Sequence, residues 1–229
     1  GSSPVIWHNL LIVHLDGSDM QSIAAYDVDS GRVVWQTPRS GRLREDPDLK
    51  KAYATPLVVT SGGRDVLVSP AADWVYGYDP ATGLELWRLS YGVLGYSVVP
   101  RPVAAAGLVF LSTSFNQPEL LAIRLTGKDG HPEIAWREKK AAPSMSSPLI
   151  VGDDLYMVSD KGVASCLEAG SGRPVWVQRL GGNFSSSALY ADDRIYIGNR
   201  SGEMFVLRPG RTFELLATNR LDSGIFATP

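Results

Sequence analysis

One short segment occurs three times in the chain, and this repetition restricts the possible folds more than any other feature of the sequence. The copies are AYDVDSGRVVW at 25–35, GYDPATGLELW at 77–87 and CLEAGSGRPVW at 166–176. An acidic side chain accepts hydrogen bonds from its own turn, and a glycine takes the positive φ that closes a short hairpin. Each copy therefore predicts strand, tight turn and strand, with the key positions Asp27, Gly31 and Trp35, then Asp79, Gly83 and Trp87, then Glu168, Gly172 and Trp176.

The tryptophans indicate that these hairpins stack against one another. One hairpin cannot bury an indole ring, so a repeated ring needs a neighbouring layer to cover it. A further copy ends at Trp136, with its hairpin lengthened by four residues, so that the tryptophans follow at spacings of 52, 49 and 40 residues. After another 40 residues Leu216 stands where the next tryptophan is expected, and Thr212 stands where the glycine is expected.

Prolines that open the first strand of each copy provide a second marker with the same period. They are Pro4, Pro56, Pro102, Pro148 and Pro229, with Ala188 substituting in the fifth copy. Four-stranded units at this spacing are typical of a β-propeller. We therefore expect an all-β propeller that forms one partial domain over 1–229. It has five complete four-stranded antiparallel blades and the first strand of a sixth. The five blades cover about 2–37, 54–90, 98–138, 146–179 and 185–219.

No helix is expected beyond a single turn in 43–53, because Pro47 interrupts that segment. The sixth first strand, GIFATP at 224–229, ends the sequence, which predicts a piece of a longer propeller. The formal net charge of −2 and pI of about 5.9 argue against a nucleic-acid binder. The chain has no run of eighteen apolar residues and no signal-peptide pattern in GSSPVIW, so no membrane span is expected in this sequence.

The repeated segment resembles the PQQ-like repeat of bacterial β-propellers. YDVDSGRVVW at 26–35 and YDPATGLELW at 78–87 match it closely, LEAGSGRPVW at 167–176 more loosely, and the resemblance covers the whole chain with a degenerate fifth copy. In that family the tryptophan docks between adjacent blades, which implies a structural role in blade docking for Trp35, Trp87, Trp136 and Trp176 and for the turn glycines Gly31, Gly83 and Gly172. The resemblance also implies a periplasmic or secreted parent protein, since the family includes an outer-membrane assembly lipoprotein, quinoprotein dehydrogenases and sensor domains.

The equipment of the quinoprotein dehydrogenases is absent from the sequence. Those members use a pair of adjacent cysteines, a quinone, a calcium ion and an aspartate base, whereas Cys166 is the single cysteine here and is expected to be a buried thiol. We therefore predict no catalytic residue, no metal ligand and no cofactor. PQQ and calcium belong only to the alternative interpretation as a fragment of an alcohol or sugar dehydrogenase. His14 with Asp16 and Asp19 offers a cation site in principle, but a polar turn after a strand is the favoured interpretation.

Binding is expected where the first strands begin. An apolar or aromatic residue precedes several of the prolines that open the first strands, and the set comprises Tyr53, Tyr96, Met145, Phe184 and Phe226. These side chains either line the mouth of the central channel or cap the core between blades. The long segment 38–53 enters the same region, and its basic part, RSGRLR at 39–44, is interpreted as a solvated loop. The predicted function is a protein-binding or scaffold module for an extended peptide or another protein; an extracytoplasmic sensor domain is a further alternative.

Overall fold

Five four-stranded antiparallel sheets form the chain in the computed structural model, which describes residues 2–94, 96–113, 117–127 and 130–228. Each sheet is a meander in which consecutive strands pair, and the predicted all-β class is confirmed. The first sheet contains β1 (Val5–Trp7), β2 (Leu10–His14), β3 (Ser22–Asp27) and β4 (Val33–Pro38). The second contains β5 (Leu57–Ser61), β6 (Arg64–Pro70), β7 (Trp74–Tyr78) and β8 (Glu85–Ser90).

The remaining three sheets repeat this plan along the chain. The third sheet contains β9 (Val103–Ala105), β10 (Leu108–Ser112), β11 (Leu120–Arg124) and β12 (Glu133–Glu138). The fourth contains β13 (Leu149–Val151), β14 (Asp154–Val158), β15 (Val163–Glu168) and β16 (Pro174–Arg179). The fifth contains β17 (Leu189–Ala191), β18 (Arg194–Gly198), β19 (Glu203–Leu207) and β20 (Leu215–Arg220). Ser114, which the sequence assigned to the end of a strand, lies outside the described residues.

A single 3-10 turn, Pro47–Lys50, occupies the long segment between the first two sheets. The side chain of Asp46 accepts a hydrogen bond from the backbone N–H of Asp48 at 2.9 Å, which caps the turn. Pro47 begins this turn instead of interrupting it, because its fixed φ suits the first helical position and that position needs no N–H.

The hairpins between third and fourth strands have the geometry that the repeated segment predicts. Asp27 accepts the backbone N–H of Ser30 at 2.8 Å, and Asp79 accepts that of Thr82 at 3.0 Å. The turn glycines all have positive φ, namely 68° at Gly31, 71° at Gly83 and 71° at Gly172. Each of the three turns predicted from the repeated segment therefore closes a hairpin.

Each of the four tryptophans of the repeated segment lies opposite a small side chain on the third strand. Cys166 faces Trp176, and the corresponding pairs in the first three sheets are Ala25 with Trp35, Gly77 with Trp87 and Ala122 with Trp136. In the fifth sheet Val206, opposite Tyr196 as Cys166 is opposite Tyr156, faces Ala217. Ala217, not Leu216, therefore occupies the tryptophan position, which corrects the sequence prediction. The turn is one residue longer there, since Arg208 bonds to Glu214 where Glu168 bonds to Arg173.

Three of the four indoles reach the turn of the following sheet. The indole N–H of Trp35 donates to the carbonyl of Pro80 at 3.1 Å, that of Trp136 to Ala169 at 3.1 Å, and that of Trp176 to Gly210 at 3.0 Å. The fourth, Trp87, meets the lengthened hairpin of the third sheet and borders a cleft of about 350 Å³ with Leu125, Thr126 and Gly130. Apolar clusters fill the space between sheets, one joining the first three, one the third and fourth, and one the fourth and fifth.

A row of hydroxyl groups just before the first strands links one sheet to the next. The backbone N–H of Ser3 donates to Thr55 Oγ1 at 3.2 Å, and that of Ser147 donates to Ser187 Oγ at 2.9 Å. Arg101 N–H donates to Ser147 Oγ at 2.9 Å, and Ser187 N–H to Thr228 Oγ1 at 3.2 Å. The link through Thr228 places 224–228 where a following first strand begins; Pro229 lies outside the described residues.

Candidate functional site

Two opposite faces of the array carry all the loops. The loops between sheets and those between second and third strands lie on one side, because antiparallel meanders put alternate connections at the same end. We call this side the entrance face. The other side carries the hairpin turns between first and second and between third and fourth strands, and we call it the turn face. The predicted binding residues all belong to the entrance face.

The side chains at the entrance alternate between surface and core. Three residues before the opening proline, or before its substitute Ala188, come Tyr53, Val99, Met145, Ser185 and Phe226, which are partly buried or exposed. One residue earlier come Ala52, Val98, Ser144, Phe184 and Ile225, which are buried. Successive side chains of an extended chain point to opposite sides, so phase decides which of them reaches the surface.

Phase also distinguishes the two roles predicted for these side chains, lining the channel mouth or capping the core between blades. Phe184 is 0 % exposed and packs on Phe205 with the ring centroids 6.0 Å apart, so it is a core residue and not part of a binding surface. Tyr96 is partly buried, although it lies six residues before its opener instead of three. Val99, which the sequence prediction passed over in favour of Tyr96, takes the surface position of the third sheet.

Arg200 brings two of the predicted residues together. It lies in the turn between β18 and β19, and its Nη2 is 3.3 Å from the sulfur of Met145. Its Cζ is 5.8 Å from the centroid of the Phe226 ring, and its Nε donates to Ser185 Oγ at 3.2 Å. The sequence prediction missed Arg200, since no motif marks this turn. Its tertiary contacts create a cation and aromatic cluster on the entrance face.

The long segment 38–53 is not a solvated loop at its beginning, contrary to the sequence prediction. Arg39 is buried, and its guanidinium donates to both carboxylate oxygens of Asp16, at 2.6 and 3.0 Å. It also donates to Ser69 Oγ at 2.7 Å and to Tyr78 Oη at 3.2 Å. A buried charge is tolerated only when it is paired and hydrogen-bonded, and the two contacts to Ser69 and Tyr78 join the first sheet to the second.

His14 and Asp16 belong to this buried network instead of forming a cation site. Among the described residues no group of three His, Cys, Asp or Glu side chains is placed to hold a metal ion. His14 Nε2 lies 2.7 Å from Ser69 Oγ, while its buried Nδ1 has no hydrogen-bond partner in the described part of the chain. Burial and then the positive charge of Arg39 lower the pKa of His14 well below its usual value. Burial raises the pKa of Asp16, although Arg39 opposes the shift.

Two clefts and the cysteine complete the candidate features. A cleft of about 490 Å³ separates the long segment from the second sheet, bordered by Arg42, Trp74 and Val93. Another of about 520 Å³ opens between the β5–β6 and β9–β10 hairpins on the turn face. Cys166 is buried, as expected, and burial raises the pKa of its thiol to about 11, which makes it a poor nucleophile at neutral pH.

The sheets and their tryptophan contacts define the chain as a β-propeller built from PQQ-like repeats. The family model described as "Outer membrane protein assembly factor BamB" matches residues 19–149 and 71–212. Because these matches cover most of the chain, it belongs to that family. Its curated relatives include BamB of Yersinia pestis, 27 % identical over 165 residues, which are 69 % of this chain and 39 % of the relative. BamB of Shewanella oneidensis is 23 % identical over 176 residues, which are 71 % of this chain and 40 % of the relative.

Solved structures share the fold at low sequence identity. BamB from Moraxella catarrhalis superposes with a TM-score of 0.71 at 16 % identity, over 98 % of this chain and 65 % of that one. Quinohemoprotein alcohol dehydrogenase from Comamonas testosteroni superposes with a TM-score of 0.72 at 13 % identity, over 96 % of this chain and 42 % of that one. The chain thus spans about two fifths of the curated relatives' length. In the described residues no helix is long and apolar enough to cross a membrane.

Proposed function

We propose that the chain is a non-catalytic scaffold that binds other proteins through its entrance face. The description of its family names outer membrane protein assembly, and two curated relatives bear the same name. We extend this role to the present chain, together with a periplasmic location for the parent protein. The bound partner is an extended segment of a protein that takes part in this assembly.

The observation that carries the proposal is the composition of the entrance face. Four side chains in equivalent positions, Tyr53, Val99, Met145 and Phe226, present partly or fully exposed apolar surface there. Aromatic residues and methionine are enriched at protein interfaces relative to the rest of the protein surface. The residues immediately before them are buried in the core, which fixes the positions from which these side chains project.

A redox function receives less support from the residues present. The superposition with the alcohol dehydrogenase is at 13 % identity, which is a likeness of fold alone. The single cysteine is buried, so the chain does not offer the adjacent pair that this type of quinone site uses. The residues of this chain therefore do not fit such a site, and no catalytic step is derived for it.

Site-specific photo-crosslinking tests the proposal. Benzoylphenylalanine replaces Val99 or Phe226 on the entrance face, and Leu84 on the turn face is the matched control because Leu84 and Phe226 are both 64 % exposed. Each purified variant is irradiated with detergent-solubilised bacterial outer membranes, and the products are identified by mass spectrometry. We expect a component of the outer-membrane assembly apparatus to be crosslinked from positions 99 and 226 and not from 84. Equal yields at all three positions, or no such component, would refute the proposed surface.

A reconstitution experiment tests the redox alternative directly. The chain is incubated with PQQ and calcium, and quinone absorbance and dye reduction are followed in the presence of alcohols and sugars. We expect neither saturable quinone binding nor turnover. Saturable binding with turnover would replace the scaffold proposal with a dehydrogenase.

A further inference from the structure

The turn that carries Arg200 is held rigidly. The amide oxygen of the buried Asn199 accepts the backbone N–H groups of Ser201 and Glu203, each at 2.9 Å. The backbone N–H of Arg200 donates to the carbonyl of Asn183 at 2.8 Å, and that of Ile225 donates to the carbonyl of Asn199 at 3.0 Å. The turn is thus fixed to the loops on both sides of the fifth sheet, and the guanidinium projects from a defined point on the entrance face.

The guanidinium itself is held on one edge and open on the other. Nε bonds to Ser185, Nη2 contacts the sulfur of Met145, and the group lies over the ring of Phe226. A guanidinium has five N–H donors in a fixed fork, so about three of them remain without a partner in the described residues. The contacts to Met145 and Phe226 restrict the side chain without neutralising its charge.

The nearest acidic side chain in sequence is already engaged elsewhere. The Glu203 carboxylate accepts a hydrogen bond from Asn199 Nδ2 at 2.8 Å and pairs with Arg220 at 3.0 Å. No ion pair to Arg200 is formed by the described carboxylates, whereas Arg39 and Arg137 each have one and Arg211 has two. An exposed, positioned and unneutralised arginine beside apolar side chains has the arrangement that binds a carboxylate through two parallel hydrogen bonds.

We infer that Arg200 is a specificity-determining residue that binds a carboxylate of an extended partner segment, while Phe226 and Met145 contact apolar side chains of the same segment. This inference rests on the proposed function. A protein segment is favoured over a lipid surface, because the chain carries a formal net charge of −2 and so lacks the basic excess that draws a protein to anionic bilayers. The partner segment is therefore acidic as well as apolar.

Peptide display tests the inference even though the partner is unidentified. Random dodecapeptides are selected on the intact 229-residue chain and, in a separate parallel selection, on the R200Q variant. We expect the enriched peptides to combine Asp or Glu with aromatic or aliphatic residues. Enriched peptides without an acidic residue would overturn the carboxylate assignment while leaving peptide binding intact. Failure to enrich any saturable binder would contradict the proposed function as well.

Affinities of the best acidic peptide and its Glu-to-Gln analogue then separate charge from shape. By fluorescence anisotropy we expect R200Q to weaken the acidic peptide about tenfold or more, R200K to weaken it less, and the analogue to be insensitive to either change. R64Q is the matched control, since Arg64 is an exposed arginine on the turn face. Equal affinity for wild type and R200Q would overturn the inference, as would Arg200-dependent binding to phosphatidylglycerol vesicles that the peptide does not compete.

Discussion

At the scale of single residues, the least expected feature is a buried charged network between the first two sheets. Arg39, Asp16, Ser69 and His14 are all buried, and the Arg39 guanidinium lies 5.0 Å from the centroid of the Tyr76 ring. In the sequence, Arg39 is simply the first basic residue of a segment of mixed charge. Its burial follows from tertiary contacts with residues 23 to 39 positions away, which no local pattern encodes.

This network makes the stability of the protein depend on pH through His14. Its lowered pKa means that the folded state stays unprotonated where the unfolded state takes up a proton, below about pH 6.5. The unfolded state then binds more protons than the folded state. The free energy of unfolding therefore decreases as the pH is lowered, by up to about 1.4 kcal/mol per pH unit. Asp16, whose pKa is raised, favours the folded state nearer pH 4 and opposes the trend there.

Urea unfolding at a series of pH values measures this effect. Between about pH 7 and pH 5 we expect the wild type to lose stability, and H14Q to show a much smaller slope because glutamine does not titrate. H131Q is the matched control, since the side chain of His131 is exposed. A wild-type free energy of unfolding that stays constant over this range would contradict the assignment to His14.

At the scale of elements, the hairpin turn between third and fourth strands packs against the indole ring of the preceding sheet. A Cβ added at Gly83 would lie 2.5 Å from the Trp35 ring, and one added at Gly172 would lie 2.6 Å from the Trp136 ring. Gly31, in the first sheet, has a similar φ but nothing within 4 Å of such an atom. Gly83 and Gly172 are therefore required both by the positive φ of the turn and by the close indole ring, whereas Gly31 is required by the positive φ alone.

Alanine substitutions separate these two reasons. G31A meets only the backbone cost of positive φ, about 1–2 kcal/mol, whereas G83A also forces the Trp35 ring to move, which adds about 1–3 kcal/mol. We expect G83A and G172A to lower the midpoint of urea unfolding clearly more than G31A does. Equal losses in all three variants would show that the indole contact contributes nothing beyond the backbone term.

The hairpins also show how far the sequence predicts the fold. Turn residues and strand alternation are local, so the five sheets are predictable from the spacing around Trp35, Trp87, Trp136 and Trp176. The prediction for the fifth copy is wrong by one residue, because its longer turn shifts Ala217 into the tryptophan position and a one-residue shift moves a side chain to the other side of a strand. Without a tryptophan to mark the register, local patterns could not detect this shift.

At the scale of the whole molecule, the candidate site could be predicted only in outline. Tyr53, Met145 and Phe226 are predictable because an apolar side chain recurs in phase before the opening prolines. Phe184 is misplaced because it is one residue out of phase, and Val99 is missed because the prediction favours larger side chains. Arg200 is contributed by a turn remote in sequence from Met145, and its role emerges only when the loops of two sheets come together.

The hydroxyl row has one interruption in the described chain, and amide exchange can detect it. In the row, each backbone N–H donates to the side chain at the equivalent position of the next sheet. For the N–H of Thr55 that position is Arg101, and arginine has no side-chain atom that accepts a hydrogen bond. We expect the Thr55 amide to exchange about two- to tenfold faster than the linked amides of Ser147 and Ser187, the factor that corresponds to one net hydrogen bond. R101S supplies the missing acceptor and is expected to slow Thr55 exchange; equal exchange at all three amides would contradict this.

The interruption lies at the same boundary as two clefts between the second and third sheets, one beside Trp87 and a larger one on the turn face. On the entrance face the same boundary is tied by the Tyr53 N–H, which donates to the carbonyl of Val98 at 2.7 Å. The backbone N–H of Ser97 also donates to the carbonyl of Lys51 at 2.8 Å, so two backbone hydrogen bonds hold the boundary together beside the interruption. A partner that spans Tyr53 and Val99 would therefore add a link between two sheets at the point where the row of hydroxyl groups fails to supply one.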